Sequence, residues 1–293
     1  MEHSHSKAMN AGHALKIGII INTVFVLVEA FYGMISNSTA LLADAGHNFG
    51  DVLALGFSLF AVRLSQRKPT LKFTYGFRRS TILVALLNTI ILLAAVVFIF
   101  LETVERLKNP LEINAKSVIV VAAIGIVVNG FTAWLFAKGE KHDLNIRSAF
   151  LHFFADALVS LGVVAAGIVI SLTGFYPIDS IVSFIIIAVI LYGSYHLLID
   201  AVNLALDAVP GNINIHAIRQ YLENLSEVAD IHDLHIWALS TTDAALTVHL
   251  VTNTLTDTGF IASIQQHLHT QFSIEHSTIQ VEFGEEQPCR TNC

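Results

Sequence analysis

Two histidine–aspartate pairs stand in stretches otherwise built of apolar residues: His47 with Asp51, and His152 with Asp156, each spaced i, i+4. That spacing puts both members of a pair on one face of a helix. Asp44 shares the face of the first pair, and Ser160 lies one turn beyond the second. An aspartate in the middle of a membrane costs roughly 3 kcal/mol, so Asp44, Asp51 and Asp156 together cost on the order of 9 kcal/mol. No lysine or arginine lies at the same depth to offset it. A hydrogen bond between helices would explain one such residue, but two matching pairs ask for a shared partner. Two neutral imidazoles and two carboxylates form a tetrahedral donor set suited to zinc, with bonds of about 2.0 to 2.2 Å. Lacking sulfur, such a site binds loosely enough to let its ion go. His47, Asp51, His152 and Asp156 are therefore the expected ligands of an ion in passage. Only deprotonated ligands hold metal, so protons compete for the same side chains. Asn22 and Glu29 share a face through i, i+7 spacing, and with Asp44 they either line the approach to this site or make polar contacts in the core.

Elements that could hold these pairs follow from composition. Charged residues make up 13% of the chain and apolar ones 54%, too little polar surface for a soluble protein of 293 residues, so the apolar residues must meet lipid. Crossing the hydrocarbon takes about 20 apolar residues. Six stretches qualify: Ile17 to Ile35, Ala40 to Val62, Ile82 to Val104, Val118 to Ala137, Ala149 to Leu172 and Ile181 to Ile199. The segment before the third contains Arg63, Arg67, Lys68, Lys72, Arg78 and Arg79, while the turns around Asn37 and Pro177 contain no lysine or arginine. The positive-inside bias then puts both termini in the cytoplasm, against a weaker opposing loop with Arg106, Lys108 and Lys116. The net charge of -7 offers no basic surface to nucleic acid, and 14 histidines point toward metal or protons. The first apolar run does not have the layout of a cleavable signal.

Composition changes near Asp207. The expected domains are a cytoplasmic histidine-containing segment over 1–16, a six-helix transmembrane bundle over 17–207, and a cytoplasmic domain over 208–293 with a flexible tail. In the last of these, periodicity predicts a helix around Ile213 to Leu225, strands near Asp233 to Leu239 and Ala245 to Val251, a helix from Asp257 to Phe272, and a strand near Thr278 to Phe283. The order αββαβ suits a small ferredoxin-like α+β fold. A domain of this size buries a modest core, so pairing with a twin would stabilise it. His232, His249, His276 and Glu282 are expected at one end of the sheet, as metal ligands or as ordinary half-buried residues.

Beyond the two pairs, the motifs resemble the cation diffusion facilitator family in its zinc-exporting branch. The resemblance rests on Leu42-Ala-Asp44-Ala-Gly46-His47-Asn48-Phe-Gly-Asp51, on His152-Phe-Phe-Ala-Asp156, on Thr74-Tyr-Gly-Phe-Arg78-Arg79, on Asn88, and on His232-Asp-Leu-His235-Ile-Trp237. It implies a homodimeric, proton-coupled exporter of divalent metal, a Zn2+/H+ antiporter whose second and fifth spans hold the transport site. It also implies cytoplasmic zinc ligands at positions matching His232, His249, His276 and Glu282. A charge pair of Asp207 with a neighbouring basic residue is implied as well; Phe77 occupies the family's basic position, leaving Arg78 or Arg79 to substitute. Relatives that carry cadmium have aspartate at the position of His47. Cys289 and Cys293, with His3 and His5, either complete a further metal site, as terminal residues do in some vesicular relatives, or belong to a frayed tail. The short Gly139-Glu-Lys-His142-Asp-Leu-Asn loop, where many eukaryotic relatives have a long histidine-rich one, points to a bacterial inner membrane.

Two other classes compete with a transporter. An intramembrane metalloenzyme would keep three protein ligands and an open position for water, and no nucleophile or further acid accompanies the pairs. A membrane metal sensor would use the cytoplasmic ligands but leave the intramembrane ones without purpose.

Overall fold

The computed structural model describes residues 20–137, 144–253 and 258–284. His3, His5, His142, Cys289 and Cys293 lie outside the described residues. The chain divides into two compact units, one drawn from residues 20–56 and 88–196, the other from 57–87 and 197–284.

The apolar helices are α1 (Ile20–Ile35), α2 (Thr39–Ser65), α3 (Ser80–Lys108), α4 (Ala115–Ala137), α5 (Leu144–Thr173) and α6 (Pro177–Ala205). Five are long and apolar enough to cross a membrane, whereas α1 is shorter over its described residues. In the first unit, Phe25, Leu41, Val96, Val121, Val163 and Ile190 pack as a buried core, while Leu27, Phe98, Val127 and Leu158 turn outward. Exposed side chains of this kind are what lipid requires. Close packing of α4 on its neighbours depends on Gly125, where a Cβ would fall 2.8 Å from the Phe25 ring and 2.9 Å from Ser160 Oγ. Small residues permit such approach between membrane helices.

At the start of α2 two buried helix amides are met from α6. The Asp179 carboxylate accepts from Thr39 N at 2.6 Å, Ala40 N at 3.1 Å, Thr39 Oγ1 at 3.0 Å and Ser38 Oγ at 2.5 Å. Ser38 Oγ caps α2 locally by accepting from Leu41 N at 3.1 Å, and the Thr39 and Ala40 amides are met by Asp179, 140 and 139 positions away.

The second unit contains α7 (Ile215–Glu223), β1 (Val228–Ala238), β2 (Ala244–Thr252), α8 (Thr258–Phe272) and β3 (Ile274–Phe283). The sheet order is β1-β2-β3, with β1 antiparallel and β3 parallel to β2. Parallel pairing requires a crossover, and α8 supplies it. Ile218 and Leu222 on α7, and Ile264 and Leu268 on α8, each spaced i, i+4, bury against Ile231, Ile236, Leu246, Val248 and Leu250 of the sheet. Asn214 starts α7 by accepting from Ala217 N. β1 begins five residues earlier than alternation suggested, because a register shift between His232 and His235, with Asp233 at φ 57°, breaks the period of two.

Candidate metal centres

The four intramembrane residues meet where α2 faces α5. His47 Nε2 is 3.3 Å from Asp156 Oδ1, and His152 Nε2 is 3.3 Å from Asp51 Oδ2. Within each helix the same groups are 3.9 Å apart for His47 and Asp51, and 3.6 Å for His152 and Asp156. One ligand atom each from Asp51, His152 and Asp156 lies within 4.8 Å of the other two, and the two imidazole rings stand edge to face at 6.0 Å. The Asp156 side chain is only 3% exposed, against 39% for His152, so the site has an enclosed wall and an accessible one. No lysine or arginine pairs with these carboxylates among the described residues. The His47 Nδ1 atom is buried without a hydrogen-bond partner, a donor set open to a cation.

Asp44 and Asn22, expected either along the approach or in polar core contacts, lie in buried contacts between helices. Ser160 Oγ donates to Asp44 Oδ2 at 2.8 Å, and Asn48 Nδ2 reaches both Asp44 Oδ1 at 3.4 Å and Glu29 Oε2 at 3.3 Å. Asn22 Nδ2 donates to Thr132 Oγ1 at 3.2 Å. Sequence reasoning passed over Asn48, although its i+4 spacing from Asp44 was the available signal.

In the second unit, His232 on β1 lies directly opposite His249 on β2, their rings 4.9 Å apart. Glu282 on β3 spans both, with Oε2 3.2 Å from His232 Nε2 and Oε1 3.0 Å from His249 Nδ1. These three form a possible metal-holding group. Partial burial alone would raise the Glu282 carboxyl. The hydrogen bond and charge of His232, then bonds from Gln280 and His249, outweigh it and hold the carboxyl below its ordinary value. His276 is not brought to this cluster. It sits six positions before Glu282 on β3, in register with Ala245, with its ring against Tyr75 at 5.5 Å. Asp233, which sequence reasoning did not single out, is turned by the bulge to 2.9 Å from His235 Nε2 and 3.7 Å from His249 Nε2.

The charge pair expected at Asp207 is taken by Arg79, and Arg78 instead reaches Asp243 at 3.3 Å.

Two family models cover this chain: the cation efflux transmembrane domain matches residues 15–204, and the cation efflux protein cytoplasmic domain matches residues 210–283. The chain belongs to the cation efflux family. Among its cation efflux relatives, the zinc transporter ZitB of Escherichia coli is 35% identical across 99% of this chain and 94% of that protein. The metal cation efflux system protein CzcD of Cupriavidus metallidurans is 32% identical across 98% of this chain and 90% of its own length. A cadmium, cobalt and zinc/H(+)-K(+) antiporter of Bacillus velezensis is 33% identical across 96% and 92%. A solved structure, the metal-bound C-terminal domain of the CzcD transporter, is 35% identical, covers 24% of this chain and 99% of its own, and superposes with a TM-score of 0.23.

Proposed function

We propose that this cation efflux transporter exports zinc in exchange for protons, and that His47, Asp51, His152 and Asp156 are its transport ligands. The observation that carries the reading is the convergence of two imidazoles and two carboxylates across the α2–α5 interface, with no lysine or arginine among the described residues to neutralise them. Zinc neutralises both carboxylates and accepts nitrogen and oxygen donors in a tetrahedron. The uneven exposure of the site leaves a side by which the ion enters and departs. Protons and zinc compete for the same lone pairs, so loading one expels the other, and exchange needs no second path. The ZitB relatives are named zinc transporters, and the Bacillus relative is named a cadmium, cobalt and zinc/H(+)-K(+) antiporter.

His232, His249 and Glu282 hold a second zinc, in a cytoplasmic domain that pairs with its twin to make a homodimer. The protein has six membrane spans, a ferredoxin-like cytoplasmic domain and both termini in the cytoplasm of a bacterial inner-membrane setting. An intramembrane enzyme is the weaker reading, because four protein donors fill the tetrahedron that a catalytic zinc leaves partly open. Reconstituted vesicles with an imposed pH gradient test the function: zinc moves against its gradient when protons flow the other way, and Asp156→Ala abolishes that movement. Zinc flux indifferent to the pH gradient would refute the exchange, and normal flux in Asp156→Ala would refute the site.

A further inference from the structure

The segment joining α2 to α3 is a folded cationic turn with an apolar tip. Between Asp51 and Glu102 the sequence holds six basic residues and no acidic one, in a chain whose net charge is -7. Two of the six are matched, Arg78 by Asp243 and Arg79 by Asp207. Arg63 sits in the last turn of α2, where the helix dipole favours a cation. Arg67, Lys68 and Lys72 are exposed and have no carboxylate partner among the described residues.

The backbone carrying these three is well tied. Thr70 N donates to Phe73 O at 3.0 Å, and Phe73 N donates to Thr70 Oγ1 at 3.1 Å, closing a turn with Leu71 and Lys72 at its tip. Gly76 takes φ +71°, and a Cβ there would lie 3.1 Å from the Arg67 carbonyl, so the two sides of the loop close only around glycine. Phe73 packs on Phe77 with ring centres 4.7 Å apart, and Lys72 Nζ stands 5.6 Å over the Phe73 ring. Leu71 is left fully in the open, with Phe73 and Tyr75 also exposed. Water rewards the cations of such a surface but not its leucine and aromatic rings. A lipid headgroup region suits both, and a loop between two membrane-crossing helices lies at that level.

We infer that Arg67, Lys68, Leu71 and Lys72 form a docking surface for anionic phospholipid headgroups. Phosphates meet the three cations, and Leu71 enters the boundary of the acyl chains. Because the turn is already folded, little ordering opposes the contact. The attraction weakens as salt screens it. This docking is independent of what the protein transports.

The test uses the full chain in nanodiscs of phosphatidylcholine with and without phosphatidylglycerol, reading the phosphatidylglycerol retained on extraction by native mass spectrometry. Each basic residue near an anionic surface contributes roughly fivefold. The combined Arg67→Gln, Lys68→Gln, Lys72→Gln variant is therefore expected to lose at least about tenfold of the enrichment over phosphatidylcholine once salt screening is allowed for. Enrichment equal to wild type overturns the proposal. So does a change of oligomeric state with unchanged enrichment, which would assign the surface to a second copy of the chain. Wild-type protein gives a separate readout should the variant fail to fold: amides of residues 67–76 exchange hydrogen more slowly when phosphatidylglycerol is present. Equal exchange in both lipids overturns the proposal without any variant.

Discussion

His47 lies nearer to Asp156 on the facing helix, at 3.3 Å, than to Asp51 on its own helix, at 3.9 Å. The same crossing holds for His152, which is nearer to Asp51 than to Asp156. Neither pair is therefore self-sufficient, and the four donors form one group only while α2 and α5 hold this spacing. A shift of one helix against the other loosens two contacts at once, which suits a site that must release what it binds.

Asp156→Ala is expected to abolish zinc transport while the protein remains folded and inserted. Losing even an outer-shell partner of a metal site costs about 10- to 100-fold in affinity, so losing a direct ligand costs more. Initial zinc uptake into vesicles, with membrane insertion checked on the same preparation, makes the comparison.

Zinc binding is expected to release protons and to weaken as pH falls. The sign follows from competition: the lower the pH, the more the four ligands carry protons that zinc must displace. Calorimetry in buffers of differing ionisation enthalpy measures the release, and heats independent of the buffer would contradict it.

His47→Asp is expected to admit cadmium while keeping some zinc flux. The imidazole gives one nitrogen to a compact four-coordinate shell, whereas a carboxylate can bind through two oxygens and suit a larger ion. A competition assay with both ions present checks the zinc-to-cadmium ratio, and an unchanged ratio would remove His47 from the selectivity shell.

Asp179→Ala is expected to destabilise the first unit, because the buried Thr39 and Ala40 amides lose their acceptor, at about 1–3 kcal/mol for each unmet group. Asp179→Asn keeps one acceptor oxygen and is expected to lose less. Thermal unfolding of the two variants in the same detergent ranks them, and equal midpoints for wild type and Asp179→Ala would show that the cap is dispensable.

Glu282 bears on the acid limb of stability. Its carboxyl titrates below the ordinary 4.5 in the folded domain, so its contribution is complete above 4.5 and fades as pH falls through the lower folded value. Glu282→Gln is expected to remove that part of the pH dependence and to weaken zinc binding to the cytoplasmic cluster. Unfolding curves collected across acidic pH, compared between wild type and variant, give the first measurement, and zinc titration gives the second.

The convergence of the four intramembrane side chains was legible because a helix has a fixed period: His47 with Asp51 and His152 with Asp156 could share faces in only one way, and charge in an apolar stretch marks itself. The apolar spans and the αββαβ order could be read for the same reason. The bulge at Asp233 was not legible, since a non-glycine residue at positive φ leaves no mark on alternation, and its carboxylate reached His249 only through that irregularity. His276 was drawn into the cytoplasmic cluster by residue type, but β3 runs fully extended, and six residues along a strand cover about 20 Å. The partner of Asp179 was hidden by distance in sequence, because Thr39 and Ala40 offer backbone groups that carry no signature of their own.

That last contact bears on the order in which the chain is made. The amides of Thr39 and Ala40 leave the ribosome about 140 residues ahead of the carboxylate that meets them, a wait on the order of ten seconds at 5–20 residues per second. Meanwhile α2 has only the Ser38 hydroxyl, which accepts from Leu41 N, to finish its first turn. The amides of Thr39 and Ala40 must face water or lipid headgroups until α6 emerges. A nascent chain cut before Asp179 therefore carries a second helix with an unfinished end.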